Sequence, residues 1–361
     1  MKAKDMLERL LSLPTAPFHE TEIIQEVEKS LGRMRVNLRT DRYGNRIARL
    51  KQGGPSGPPL ALVAHMDHPG FVVRQSRPGS ALVQLLGGLG HRLAGRRLKF
   101  VSSPECVGVI SRVARKDASG RPTHVWVRTP LQRGFRLPHG TFGVWDVPAF
   151  RRRGSKIHAR SIDDVCGVAV MLEVLRRLGR SRRPVDLYCC FTRAEEVGFV
   201  GAAGLARTNI LPRRAKLISI EMSRELPGKA DQGKGFVIRA GDRASLFDPG
   251  LVGFMIWIAR RMQAARKTFQ FQTAILDGGT CEATLFNAMG GCAAGVALPL
   301  RNYHNQAPDG HIAPECIDMH DLNCLVDFLE ELAGQMRNWG QDRRALRSRL
   351  DRNFRTWRKY L

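Results

Sequence analysis

A chain of 361 residues with 43% hydrophobic and 25% charged side chains has the make-up of a soluble globular protein long enough for two domains. Its 58 basic against 33 acidic residues give a formal charge of +25, which favours anionic partners (nucleic acid, acidic peptides or a membrane surface) and says nothing of the fold. Eight cysteines without a CxxC pair exclude a disulfide scaffold, and neither a signal-peptide core after Met1-Lys2-Ala3-Lys4 nor a membrane-length apolar run is present, so the expectation is a cytoplasmic protein without membrane contact.

Met6, Leu7, Leu10 and Leu11 predict a helix over 3–13, broken by Pro14 and Pro17. A second helix over 19–31 carries Ile23, Ile24, Val27 and Leu31. Residues 36–50 read as a hairpin turning at Asp41-Arg42-Tyr43-Gly44-Asn45. After a Gly/Pro-rich loop over 53–59, Leu60-Ala61-Leu62-Val63-Ala64 is apolar at every position, as in a strand buried on both faces, and ends in His65-Met66-Asp67. From 70 to 155, short β-like segments at 71–73, 81–85, 106–113 and 124–127 alternate with Gly, Pro and basic turns. This predicts an all-β module inserted in an α/β domain. Ile162-Asp163-Asp164 opens a helix with Val165, Val168, Ala169, Leu172 and Leu175 on one stripe.

A strand over 185–190 leads to Glu195-Glu196, and another over 217–220 ends at Glu221. A helix over 250–266, a strand over 269–276, a Gly278-Gly279-Thr280 turn into a helix, a strand over 295–300 and a helix over 319–336 follow. Residues 341–361 carry Leu346, Leu350, Phe354, Trp357 and Leu361 at helical spacing, and from Arg337 onward there are nine Arg/Lys and two Asp. The expectation there is a docked helix with a solvated basic face, with nucleic-acid or membrane contact as the alternatives.

Polar residues gather at the ends of these elements: His65 and Asp67, Asp163, Glu195 and Glu196, Glu221, and His304. Two imidazoles and three carboxylates suit two divalent ions of zinc type. Ions about 3.5–4 Å apart need a shared carboxylate, for which Asp163 is the candidate. Asp67, two residues past His65 in an extended segment, points the same way and can accept the imidazole's second N–H. Glu195 is then the spare carboxylate, able to take a proton from the attacking water and pass it to the leaving amine. His68, His91, His124, His139, His158, His311 and His320 read as ordinary core or surface residues, His68 lying beside the site.

Ala64-His65-Met66-Asp67, Ser161-Ile162-Asp163-Asp164, Glu195-Glu196-Val197-Gly198, Asp277-Gly278-Gly279-Thr280 and Tyr303-His304 together resemble the dinuclear-metal aminopeptidases of the tetrahedral and glutamyl aminopeptidase group, some of whose members are labelled endoglucanase. The resemblance covers roughly residues 5–335. It implies an α/β fold: a mixed-sheet, zinc-aminopeptidase-like catalytic domain over 1–69 and 156–336. A small all-β, PDZ-like domain over 70–155 would be inserted for subunit contacts, leaving a basic helical tail over 337–361.

It also implies that His65, Asp163 and Glu221 hold one metal and Asp163, Glu196 and His304 the other. Glu195 would be the base, with Gly278, Gly279 and Thr280 at the substrate. Two zinc ions (or cobalt or manganese), peptide substrates trimmed from the N-terminus and homo-oligomers from dimer to dodecamer complete the expectation. Related amide hydrolysis, as a deacylase or dipeptidase, is the alternative within enzymes; a catalytically retired nucleic-acid-binding protein is the alternative outside them. The chain departs from the family at Glu221, where aspartate is usual, and at Val165-Cys166, where an arginine is common. It departs again at Cys281-Glu282 in place of Asp-Ala and at His68-Pro69 in place of Glu-Ile.

Overall fold

The computed structural model describes residues 3–34, 36–54, 57–90, 92–101, 105–130 and 136–361. Helices α1 (Ala3–Ser12) and α2 (Thr21–Leu31) bury Met6, Leu10 and Leu11 and Ile23, Val27 and Leu31, the faces marked by their apolar spacing. Strands β1 (Asn37–Thr40) and β2 (Arg46–Gln52) form the hairpin. In its turn the Asp41 carboxylate accepts the N–H groups of Tyr43 and Asn45, and Gly44 sits at φ +85, where a Cβ would also strike Arg193. β3 (Leu60–His65) is buried at all six positions.

The chain then leaves the main sheet. β4 (Gly70–Arg77), β5 (Ser80–Leu86), β6 (Arg97–Phe100), β7 (Cys106–Lys116), β8 (Pro122–Arg128) and β9 (Phe142–Trp145) close into a barrel in the order β4-β5-β8-β7-β6-β9. Phe71 and Trp145 meet edge to face in its core, with ring centroids 4.7 Å apart. β10 (Phe150–Arg153) and β11 (Lys156–Ala159) follow as a hairpin, which pairs through β11 with β17 (Glu315–Asp318) and not with the barrel.

The remainder completes the main layer: α3 (Ile162–Ser181), β12 (Val185–Thr192), α4 (Val200–Ala206), β13 (Lys216–Arg224), β14 (Phe236–Asp242), α5 (Pro249–Ala265), β15 (Phe271–Leu276), α6 (Glu282–Ala288), β16 (Cys292–Leu300), α7 (Met319–Gln335) and α8 (Gln341–Trp357). Eight strands run in the order β1-β2-β12-β3-β13-β16-β14-β15. The central four, β12, β3, β13 and β16, are parallel, and β2 and β14 join their flanks antiparallel. This is a mixed α/β fold, with helices covering a sheet whose inner strands are buried along almost their whole length.

β14 has no counterpart in the sequence reading, because Arg239, Gly241 and Asp242 interrupt its apolar pattern, and β6 and β9 are four residues each. α8 is helical as expected; its first turns lie beside α5, where Arg343 meets Gly250, and no residue in it is buried. Among the described residues no helix is long and apolar enough to cross a membrane. Leu62 lies fully buried at the centre of β3, and Leu62→Ala is expected to lower the stability measured by urea unfolding by about 3 kcal/mol; a change below about 1 kcal/mol would contradict the packing described.

Candidate active site

The parallel strands deliver their carboxyl ends to one place, the usual position for chemistry in an open α/β sheet. β3 ends on His65, β12 runs out into the turn bearing Glu195 and Glu196, β13 carries Glu221, and the turn after β16 presents His304. Asp163 arrives from the first turn of α3, where it and Asp164 depart from helical geometry.

Asp163 lies between the two imidazoles. Its Oδ1 is 3.6 Å from His65 Nε2, and its Oδ2 is 3.6 Å from His304 Nε2. Glu196 Oε1 is 3.2 Å from His304 Nε2, and Glu195 Oε2 is 3.8 Å from His65 Nε2. Side-chain donors of His65, Asp163 and Glu221 lie within 4.8 Å of one another, as do those of Asp163, Glu196 and His304, and those of His65, Glu195 and Glu196. All of the metal-site candidates from the sequence thus fall in one cluster, with Asp163 common to two of the three groups.

A second layer of polar groups holds these side chains. Asp67 serves differently from the expectation. Its carboxylate accepts the backbone N–H groups of Glu195 at 2.9 Å and Glu196 at 3.1 Å. The His65 Nδ1–H reaches the Asp67 carbonyl at 3.0 Å, with the carboxylate further off at 3.5 Å. Two converging amides outcompete one imidazole for the same oxygens.

Glu315, which the sequence reading passed over, accepts the N–H groups of Ile162 and Asp163 on Oε2 and that of His304 on Oε1. It ties two distant segments of the site together. His68 is likewise part of the support: its ring nitrogens lie 2.5 Å from the Asp163 carbonyl and 3.0 Å from Asn305 Oδ1. The barrel contributes through Gly88, whose carbonyl accepts His304 Nδ1–H at 2.9 Å and so directs Nε2 at Asp163 and Glu196. Of the other histidines set aside, His91 lies outside the described residues, and His139 and His311 are exposed. A lone Glu in the run Pro314-Glu315-Cys316 carries no spacing that could have announced it.

The electrostatics have one cause. Burial by itself would lower the pKa of His65, yet Glu195, Asp163 and Asp67 around it raise it well above its ordinary value. His304 is raised against burial in the same way, by Glu196 and Asp163. Burial pushes Glu195 well up, as it does Glu221, to about 8; neighbouring carboxylates add to both, against the pull of His65. Asp163 alone goes the other way: burial is outweighed by the imidazoles on either side, which hold it well below the carboxylate range. Raised histidines and raised glutamates in one cluster are the mark of excess buried negative charge.

Asp163 Oδ1 and His304 Nε2 are both buried and have no hydrogen-bond partner. Unsatisfied nitrogen and oxygen donors facing a cluster of carboxylates fit divalent cations of zinc type. Beside Glu221 opens a cavity of about 140 Å³ lined by Gly278, Gly279, Thr280, Tyr303, Arg224 and Arg239. Arg239 is buried with its Nε unpartnered, and its guanidinium carbon stands 5.9 Å from the Phe247 ring. Glu282, one of the family departures, is buried beneath the site. It accepts the Thr192 hydroxyl at 2.6 Å on one oxygen, the other is unpartnered, and burial pushes its pKa up to about 7.

Glu315→Gln keeps the size of the side chain but replaces one acceptor oxygen by an NH₂ that cannot receive a backbone N–H. Equilibrium dialysis is expected to show divalent-metal affinity reduced about ten- to hundredfold; unchanged affinity would mean that the two tied segments hold their places without it.

The family model described as M42 glutamyl aminopeptidase matches residues 131–326. FrvX of Escherichia coli strain K12, named as an aminopeptidase, is 23% identical over 359 residues, spanning 92% of this chain and 97% of its own. The TET1 peptidase of Pyrococcus horikoshii, described as assembling into a tetrahedron or a large octahedral shell, superposes with a TM-score of 0.76 at 22% identity, over 92% of this chain and 99% of that one. Aminopeptidase APDkam598 of the archaeon Desulfurococcus kamchatkensis gives 0.76 at 24% identity, over 93% and 95%. At these identities the structures establish likeness of fold. With the family match extending over more than half of its length, the chain belongs to the M42 glutamyl aminopeptidase family and is a peptide-bond hydrolase.

Proposed function

We propose that this chain is a dinuclear-metal aminopeptidase in which Glu195 is the general base. The observation that carries the reading is Asp163, buried between two imidazoles with one oxygen toward each. His65, Asp163 and Glu221 would hold one divalent ion, and Asp163, Glu196 and His304 the other, zinc by default with cobalt or manganese also suited to these donors. Bound there, the ions supply Lewis acidity toward a substrate carbonyl and toward water.

The chain's own groups do the rest. Asp67 and its two backbone bonds fix the direction in which Glu195 and Glu196 leave the turn. Glu195 takes a proton from the attacking water at its carboxylate and delivers it to the leaving amine nitrogen. The cavity bounded by Gly278, Gly279 and Thr280 receives the N-terminal residue of a peptide, and the guanidiniums of Arg224 and Arg239 favour an acidic side chain there.

The domain reading is part of the proposal: catalytic over 1–69 and 156–336, an inserted PDZ-like module over 70–155 that makes contacts between copies, and a basic tail over 337–361. A homo-oligomer is supported by the shells described for the TET1 relative. A cytoplasmic location is supported by eight cysteines, none of them in a disulfide.

Glu195→Gln is expected to lower kcat on an aminoacyl anilide about 10²- to 10⁴-fold while metal analysis still finds both ions. Asp163→Ala is expected to empty both positions together; one ion retained at full affinity would contradict a shared aspartate. Strongly salt-dependent nucleic-acid binding in a protein without peptidase activity would instead support the retired-scaffold reading. In a panel of aminoacyl substrates, glutamyl and aspartyl derivatives are expected to exceed leucyl by about tenfold or more in kcat/KM, and the reverse order would remove the role given to the two arginines.

A further inference from the structure

The last helix lies beyond the family match, which ends at residue 326, and the metal site makes no use of it. The chain is fastened just before it. Trp339 packs edge to face on Phe254 at 5.2 Å, and Lys216 Nζ stands 4.7 Å from its ring. Gly340, at φ +82, then turns the backbone away into the 17 residues of α8.

On a 3.6-residue repeat, Leu346, Leu350, Phe354 and Trp357 fall on one face. In the structure they are 48, 55, 59 and 63% exposed. The opposite face carries Arg344, Arg352, Arg355 and Lys359, with Arg347, Arg349 and Arg358 at the margins of the stripe. Over 341–361 there are eight basic and two acidic side chains, and one of the acids, Asp351, is 3.9 Å from Arg347.

We propose that α8 is an adsorbing helix whose partner is an anionic phospholipid bilayer. It lies in the headgroup plane, its Leu-Phe-Trp stripe toward the acyl chains and its arginines on lipid phosphates. Charge complementarity and the stripe together select this partner. A nucleic acid would neutralise the arginines and leave four large apolar side chains in water. A second copy packing stripe to stripe would crowd Arg343, which lies in line with the stripe, and Arg347, Arg349 and Arg358 at its margins into the contact between two like-charged helices. An anionic interface accepts both faces at once, the defining property of a basic amphipathic surface helix. The sequence holds membrane contact of this tail only as an alternative to docking, and no spanning helix is present among the described residues. A helix lying on a surface needs none.

The test is flotation of the full-length protein with vesicles of equal parts phosphatidylcholine and phosphatidylglycerol, beside vesicles of phosphatidylcholine alone. The bound fraction is expected to be about tenfold or more higher on the anionic vesicles and to fall to the neutral-vesicle level in about 0.5 M salt. The double variant Leu350→Asp, Phe354→Asp is expected to lose vesicle binding with aminoacyl hydrolysis unchanged, since both residues are exposed and neither belongs to the site or lines its cavity. Three results overturn the proposal: no preference for anionic vesicles, vesicle binding undiminished in the double variant, or an oligonucleotide duplex bound equally by both proteins while vesicles are ignored. A lower molecular mass for the double variant by light scattering, without vesicle binding by the parent, also overturns it and makes the stripe an interface between copies.

Discussion

Excess negative charge in a dry place governs the centre of this molecule. Glu195, Glu196, Glu221, Asp163, Asp164 and Glu282 approach one another where water is scarce, with two imidazoles as the nearest compensation. Left alone, such a cluster retains protons, which is why histidines and glutamates are both shifted upward. The rest of the fold can be understood as the scaffolding that keeps these groups from separating. Parallel strands bring their ends together, and carboxylates one layer out hold the backbone of the carboxylates within. Asp67 does so for the Glu195-Glu196 turn, Glu20 for Ala194 just before it while also pairing with the Arg193 guanidinium, and Glu315 for Asp163 and His304.

Those outer carboxylates explain what could and could not be read from the chain. Strand ends bearing His65, Glu195-Glu196, Glu221 and His304 announce themselves, because an apolar run stopping at a polar residue is a local pattern. The continuous burial of β3 was legible for the same reason. β14 was not, since Arg239, Gly241 and Asp242 break its apolar run, and the Cys281 and Thr284 donors that Asp242 accepts lie 39 and 42 residues further on, at the start of α6. Glu315 was illegible for a similar reason: its partners are more than 150 residues away along the chain at Ile162 and Asp163, but only 11 away at His304. Asp67 was legible as a polar residue beside His65, but which donor it would serve depended on a turn 128 residues further on.

The departures from the family pattern concentrate beneath the site and at its rim. The longer arm of Glu221 is braced by the Ser219 hydroxyl, which donates to it at 3.2 Å. Glu282 adds a carboxyl to a cluster already crowded with them, and its bond from Thr192 fastens α6 to the end of β12, the strand that feeds the Glu195-Glu196 turn. Nothing in the structure explains why Val165-Cys166 stand at the start of α3, beyond the burial of both.

The bond from His304 to Gly88 joins the two architectures. Gly88 belongs to the stretch between β5 and β6, so the aim of one imidazole is set by how the barrel is seated on the sheet. A tilt of the barrel, whether from a neighbouring copy or from a long substrate pressing on it, would therefore shift the carbonyl that aims His304, and with it Gly87, which lies close against Glu196.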